Sequence, residues 1–190
     1  MDSFQKMYDE STLLVLRELE TTLPHLDAAQ IKSLIEKILC SRKVFVVGVG
    51  RVMLSLQAFV KRLAHLGIDA HYVGEITEPA ITGEDLLIAA SGSGESIFPK
   101  DIAKKAKYLG ATVIHIGSNT QSSIKEYSDG MVRIPVRTKL GLPEEIASEQ
   151  PMSSLFEQSV MLLGDIIALI IIRSRGLDMS SLWTYHANLE

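Results

Sequence analysis

The chain has 190 residues, with 46% hydrophobic and 22% charged residues and a formal net charge of -4 when histidine is neutral. That length and balance support one substantial folded core and exclude a disordered or low-complexity chain. The negative charge and the lack of any Lys/Arg cluster give no electrostatic support for nucleic acid or an anionic membrane, so neither is expected as a partner.

Two helices are predicted first, over residues 4–22 and 28–40, divided by Pro24, with Asp27 as the N-cap of the second. The opening Met1-Asp2-Ser3-Phe4-Gln5-Lys6 lacks a charged-then-apolar signal pattern, and the lone Cys40 has no partner for an internal disulfide. A cytoplasmic address is therefore expected. The run at 43–48, Lys-Val-Phe-Val-Val-Gly, reads as a strand buried on both faces, and 53–66 has helical spacing until Gly67 stops it. A short strand around 71–73 follows, then a strand at 86–90, a helix at 98–109 ending at Gly110, and a strand at 112–116. A short helix at 122–127 leads to a strand at 131–135, a loop holding Gly141, Leu142 and Pro143, and a long helix at 153–173.

The apolar stretch 160–172 within that helix is interrupted by Asp165 and stops at Arg173, short of the ~20 residues that span a bilayer. It is expected to be a buried or subunit-contacting helix. The tail, 180–190, carries Trp183, Tyr185 and His186 and is predicted to be ordered. Strands alternating with helices imply an α/β fold of three layers, α-β-α, around a five-stranded parallel sheet, since right-handed crossovers put helices on both faces. One domain is expected over 1–190: N-terminal helices in 1–41, the sheet and its helices in 42–176, and a tail in 177–190.

The most informative motif is Ser91-Gly92-Ser93-Gly94-Glu95-Ser96, between the strand at 86–90 and the next helix. Serines and glycines alternating at a helix start offer uncovered backbone N–H groups, hydroxyl donors and a positive dipole end, which suits a phosphate group. Such a turn is also ordinary punctuation, but its place at a strand's carboxyl end favours a ligand. Gly48-Val49-Gly50-Arg51 makes a second turn of this kind. The third glycine of a dinucleotide fingerprint would fall at Met53, so no nucleotide cofactor is expected there. Arg51 is then a candidate to bind substrate oxygens, against a plain salt bridge.

No nucleophile elbow surrounds Ser91, Ser93 or Ser96, there is no P-loop, and His25, His65, His71, His115 and His186 show no metal-binding spacing. Neither a metal nor any other cofactor is expected. Two side chains remain to move protons. Glu157, near the start of the last apolar helix, is a candidate base, although a helical Glu is more commonly just solvated. His186 is a candidate proton donor, although a terminal histidine is more commonly solvated too.

Several segments together carry a resemblance. They are Gly48-Val49-Gly50-Arg51, Phe59 with Arg62-Leu63, His65-Leu66-Gly67, Val73-Gly74-Glu75, the serine loop, Gln150-Pro151-Met152, Ser154-Leu155-Phe156-Glu157-Gln158 and His186-Ala187-Asn188-Leu189-Glu190. On these, nearly end to end, the chain resembles the 6-phospho-3-hexuloisomerase group of the SIS (sugar isomerase) family. The serine loop marks SIS domains broadly, whereas the Gln-Pro-Met segment and the closing His-Ala-Asn-Leu-Glu are particular to the isomerase group.

The resemblance implies a flavodoxin-like SIS fold and interconversion of D-arabino-3-hexulose 6-phosphate with D-fructose 6-phosphate, without metal or nucleotide. It implies Glu157 as the base, with His186 assisting ring opening or oxygen protonation. Phosphate and substrate binding fall to Gly48, Gly50, Arg51, Ser91, Gly92, Ser93, Gly94 and Ser96. It further implies a homo-oligomer, a tetramer, with sites shared between subunits and the tail contributing to them, so that His186 acts either on its own or on a neighbour's substrate. The chain departs from the group at Val52, where a serine is usual, and at Glu149 and Ser153, where isoleucine and glycine are usual. These departures keep open a different phosphosugar, and a non-catalytic phosphosugar sensor is a further alternative.

Overall fold

Apolar, β-branched runs become the centre of the molecule. In the computed structural model, which describes residues 3–189, five strands form one parallel sheet: β1 Val44–Val47, β2 Ala70–Tyr72, β3 Leu86–Ala90, β4 Thr112–Gly117 and β5 Gly130–Arg133. Met1, Asp2 and Glu190 lie outside the described residues, and with them the last residue of the tail motif. The order is β2-β1-β3-β4-β5, all neighbours parallel, with Val44 level with both Ala70 and Leu86. The central strands β1 and β3 are buried at every position, as runs without polar alternation require. The edge strand β2 is only half-buried, and at the other edge the Arg133 N–H donates to Gln30 Oε1 at 2.7 Å.

Five α-helices accompany the sheet: α1 Ser3–Thr22, α2 Ala28–Cys40, α3 Arg51–His65, α4 Ile97–Tyr108 and α5 Ser154–Arg175. Asp27 caps α2 as expected, its Oδ1 accepting from the Ala29 N–H at 2.7 Å. Alternation along the strands separates two cores. Val44, Val46, Leu86, Ile88 and Ile114 face α2, α3 and α5, whereas Phe45, Val47, Leu87, Ala89 and Val113 face Ala103 and Ala106 of α4. The element expected as a helix at 122–127 is a 3-10 turn, Ser123–Tyr127, and the tail forms another, Met179–Tyr185.

Helix α5 corrects one expectation. It has 22 residues and is long and apolar enough to cross a membrane by length and composition, so shortness does not distinguish it from a span. Packing does. Leu155, Val160, Leu163, Ile167 and Ile171 are buried in the larger core, and Gly164 lets α3 approach so closely that an added Cβ would stand 2.9 Å from the Phe59 ring.

Asp85, just before β3, is 1% exposed and ties the amino-terminal ends of β1 and β3 together. Its carboxylate accepts from the Thr82 N–H at 2.7 Å, the Thr82 hydroxyl, the Lys43 N–H and Arg42. Burial pushes this carboxyl up, but the hydrogen bonds from Thr82 and Arg42 outweigh it and hold it below the ordinary aspartate value. A depressed carboxyl contributes stability that is complete above its unfolded-state value and is lost as the pH falls through its folded-state value. Asp85→Asn is expected to cost about 1–3 kcal/mol at neutral pH, because a donor replaces an acceptor among donors. It should also flatten the acid limb of stability, both read from urea midpoints between neutral pH and the acid transition.

Candidate active site

In the order β2-β1-β3-β4-β5 the chain turns outward from β1 in one direction and continues from β3 in the other. A crevice therefore opens at the carboxyl ends of β1 and β3, where ligands dock in open parallel sheets. Both glycine-rich turns lie there, between β1 and α3 and between β3 and α4.

The first turn uses its glycines differently. Gly48 is crowded, since a Cβ would stand 3.1 Å from Leu56 and 3.2 Å from Val52. Gly50 has open space around it but adopts φ 57°, ψ −136°, a backbone region essentially restricted to glycine. This lets α3 begin at Arg51, two residues earlier than its apolar spacing suggested, and puts the Arg51 side chain at the mouth of the crevice.

The serine loop is more tightly wired than an open cradle. The Gly94 N–H donates to Ser91 Oγ and to the Ser91 carbonyl, both at 3.1 Å. The Glu95 N–H donates to Ser93 Oγ at 3.3 Å, and the Ser91 hydroxyl donates to Ser96 Oγ at 3.2 Å. Ser91 and Ser93 are buried. The loop's own groups thus satisfy part of what was expected to be free for a ligand. Among the described residues, the N–H groups of Ser93, Ser96 and Ile97 meet no protein acceptor, and the last two open α4 where the helix dipole is positive.

Two residues behind the loop went unassigned in the sequence. His115, buried in β4, shares a hydrogen with the Ser91 carbonyl at 2.9 Å. A carbonyl can only accept, so Nε2–H is the donor, and burial lowers the imidazole below its ordinary value. Its one signal was a polar residue inside Val113-Ile114-His115-Ile116. Glu95 turns away from the crevice and accepts from the Ser123 N–H at 2.7 Å and the Ser123 hydroxyl at 2.6 Å. These bonds hold its carboxyl below the usual glutamate value and fasten the loop to the turn after β4.

Glu157 lies in the first turn of α5, against the first turn of α3. Arg51 Nε stands 2.6 Å from Glu157 Oε2, and the Ser55 hydroxyl donates to the Glu157 carbonyl at 2.8 Å. The ion pair is close without being aligned: Oε2 is buried and has no hydrogen-bond donor among the described residues. A cleft of about 400 Å³ opens here, lined by Arg51, Leu54, Ser55, Ala58, Glu157 and Met161. The neighbouring Phe156 reaches the serine loop, its ring 3.6 Å from where a Cβ on Gly92 would sit, and Thr138 closes the other side at 3.0 Å. Glu157 is not the solvated helical residue that composition alone favours, as its side chain is only 13% exposed.

His186 is elsewhere. Its ring stacks on His65, with centroids 5.2 Å apart, and tilts against Trp183 at 4.9 Å. His65 ends α3 and Arg51 begins it, about 21 Å apart along the axis at 1.5 Å per residue. Within one chain the structure brings Arg51 and Glu157 together beside the serine loop, and it does not bring His186 to them. Burial, then Lys61, Arg62 and the His186 ring, lowers the His65 imidazole below its ordinary value.

None of the positions departing from the family pattern lines the cleft around the Glu157 carboxylate. Val52 packs partly against the core, Glu149 lies beside Leu13, Leu14 and Arg17 of α1, and Ser153 accepts from the Glu157 N–H at 3.0 Å through its carbonyl.

Residues 37–163 match the SIS domain. The 3-hexulose-6-phosphate isomerase of Bacillus subtilis (strain 168) is 38% identical over 176 residues, covering 93% of this chain and 95% of that protein. That of Mycobacterium gastri is 35% identical, covering 93% and 88%. A crystal structure from Methanococcus jannaschii, described as inferring a molecular function of 3-hexulose-6-phosphate isomerase, superposes with a TM-score of 0.76 at 30% identity over 95% of this chain and 96% of that one. The switch-point crevice, the serine loop and these likenesses agree, and the chain belongs to the SIS domain family, among the 3-hexulose-6-phosphate isomerases.

Proposed function

We propose that this protein interconverts D-arabino-3-hexulose 6-phosphate and D-fructose 6-phosphate through a cis-enediolate, with Glu157 as the base. The observation that carries this is the half-enclosed Glu157 carboxylate: one of its oxygens is buried with no hydrogen-bond donor among the described residues and 2.6 Å from Arg51, in a cleft beside a phosphate-type loop. The 38% identity to the Bacillus subtilis isomerase over nearly the whole chain supports the same substrate.

Glu157 takes the proton from C2 of the 3-ketose, the C2–C3 double bond forms, and the C3 carbonyl oxygen gains a proton. The C2 hydroxyl then loses its proton as the C2 carbonyl forms, and C3 receives the proton that Glu157 took from C2. One carboxylate on one face serves both transfers. Negative charge on O2 and O3 is met by Arg51 and by backbone N–H groups. The 6-phosphate is held by the hydroxyls of Ser91, Ser93 and Ser96 and by the N–H groups of Ser93, Ser96 and Ile97, with Gly92 and Gly94 shaping the loop, while Gly48 and Gly50 let the sugar approach the backbone.

His186 protonates oxygen or assists ring opening from a neighbouring subunit, in a homotetramer with shared sites. The length of α3 between it and Arg51 supports this, as do the exposed Leu54 and Met161 at one end of that helix and Met179, Trp183 and Tyr185 near the other. The enzyme acts in the cytoplasm on the product of hexulose-phosphate synthase, in formaldehyde fixation by the ribulose monophosphate pathway. Added to a working synthase reaction, the protein is expected to yield fructose 6-phosphate, detected through a coupled dehydrogenase. A reaction in which hexulose phosphate accumulates and no fructose 6-phosphate appears removes the proposal.

A further inference from the structure

Helix α1 is mostly exposed, with Phe4, Met7, Tyr8, Leu13 and Leu16 all outward, and Glu18 is one of its two buried residues. A buried carboxylate on a peripheral helix needs a reason, because removing it from water costs several kcal/mol unless it is fully bonded. Glu18 is fully bonded, and to one segment. Its Oε1 accepts from the Glu149 N–H at 2.6 Å, and its Oε2 accepts from the Ser148 hydroxyl at 2.7 Å and from Gln150 Nε2 at 2.9 Å. Burial raises this carboxyl, and the three bonds more than offset it, holding it below the ordinary glutamate value.

The chain of contacts continues. Gln150, itself buried, accepts through Oε1 from Gln158 Nε2 at 2.9 Å, and Gln158 is the residue after Glu157. Between Gln150 and α5 stands Met152 at φ 55°, the one non-glycine residue with positive φ among those described. A left-handed residue of this kind is strained and persists only where its surroundings over-determine it. The strained residue is bracketed by Gln150 on one side and by Ser154 on the other, whose N–H and hydroxyl both donate to the Pro151 carbonyl.

We infer that Glu18 is a positioning residue: through Ser148, Glu149 and Gln150 it locks the strained 148–153 turn and so fixes the first turn of α5 that aims the Glu157 carboxylate. This rests on the isomerase reading for its catalytic consequence and on geometry alone for its structural one. Glu18→Gln replaces an acceptor with an amide that can satisfy only part of three donors, and Ser148→Ala removes one of those three donors together with the bond that the Ser148 hydroxyl accepts from the Gln150 N–H at 3.1 Å.

The test has two readouts on the full-length protein. For Glu18→Gln, kcat for fructose 6-phosphate formation is expected to fall about tenfold with KM within about twofold, since misplacement acts on the transition state more than on ground-state binding. Amide hydrogen exchange over 148–158 is expected to speed up about tenfold. Ser148→Ala should move both in the same direction by less, which covers the case in which Glu18→Gln fails to fold. Asp85→Asn is the control, because it removes a comparably buried carboxylate at the amino-terminal ends of β1 and β3, with no bond to the 148–153 turn, and should lose stability while keeping kcat. An unchanged kcat in folded Glu18→Gln, or a loss matched by Asp85→Asn, would overturn the catalytic role, and unchanged exchange over 148–158 would overturn the lock itself. If the wild-type protein makes no fructose 6-phosphate, the isomerase reading fails and the exchange measurement still decides whether Glu18 holds the turn.

Discussion

Glu157→Gln is expected to lower kcat by about a thousandfold while leaving the affinity for fructose 6-phosphate within about threefold. The substitution keeps the size of the side chain and an oxygen facing Arg51, and removes only the capacity to take a proton. Because the same carboxylate serves both transfers, no second group takes over either half of the reaction. Calorimetric titration with fructose 6-phosphate and the coupled assay separate binding from turnover. Near-normal turnover would sink the assignment of the base. Mixing this variant with His186→Ala sharpens the result. If Glu157 and His186 come from different subunits, randomly mixed assemblies regain about a quarter of intact sites, whereas sites complete within one chain regain none.

Gly94→Ala is expected to cost about 2–4 kcal/mol and to loosen the serine loop. Gly94 has φ 67°, and a Cβ there would stand 2.3 Å from both the Cβ and the hydroxyl of Ser122 and 3.1 Å from the His115 ring. Two penalties are superposed, a left-handed alanine and a collision with a buried neighbour. A second substitution separates them. Ser122→Gly in the Gly94→Ala background removes the collision and leaves about 1 kcal/mol of backbone strain, and it costs little itself because the Ser122 hydroxyl has no hydrogen-bond partner among the described residues. Urea unfolding of the four proteins in the cycle measures this. No recovery in the double variant would mean that the steric account is wrong.

The five strands were legible because continuous runs such as Val-Phe-Val-Val and Leu-Leu-Ile-Ala-Ala suit only a sheet covered on both faces. The two glycine turns were legible because their function depends on backbone shape, which glycine announces locally. Arg51 and Glu157 could be nominated from the chain but not paired, since the pairing arises where α3 and α5 pack across Gly164 and Phe59. Glu18 gave no local sign. In Arg17-Glu18-Leu19-Glu20 it looks like any helical glutamate, and its burial depends on a segment 130 residues further on. His186 was recognisable as ordered and polar, yet nothing in the tail says that it docks on His65 rather than beside Glu157.

The position of α5 in the chain bears on how the protein is made. The larger core faces α2, α3 and α5, and Leu155, Phe156, Val160, Leu163, Ile167 and Ile171 are its last contributions. A ribosome that has just finished β5 has made a sheet with one face covered by α2 and α3 and still lacking α5. At about 5–20 residues per second, the roughly forty residues to the end of α5 leave the part of that apolar surface reserved for α5 uncovered for about 2–8 s in every round of synthesis. A transcript cut short before codon 154 would release a chain in this state permanently. Such a fragment has all five strands and the serine loop but lacks α5 with Glu157, and it should be a client for chaperones rather than a smaller working enzyme.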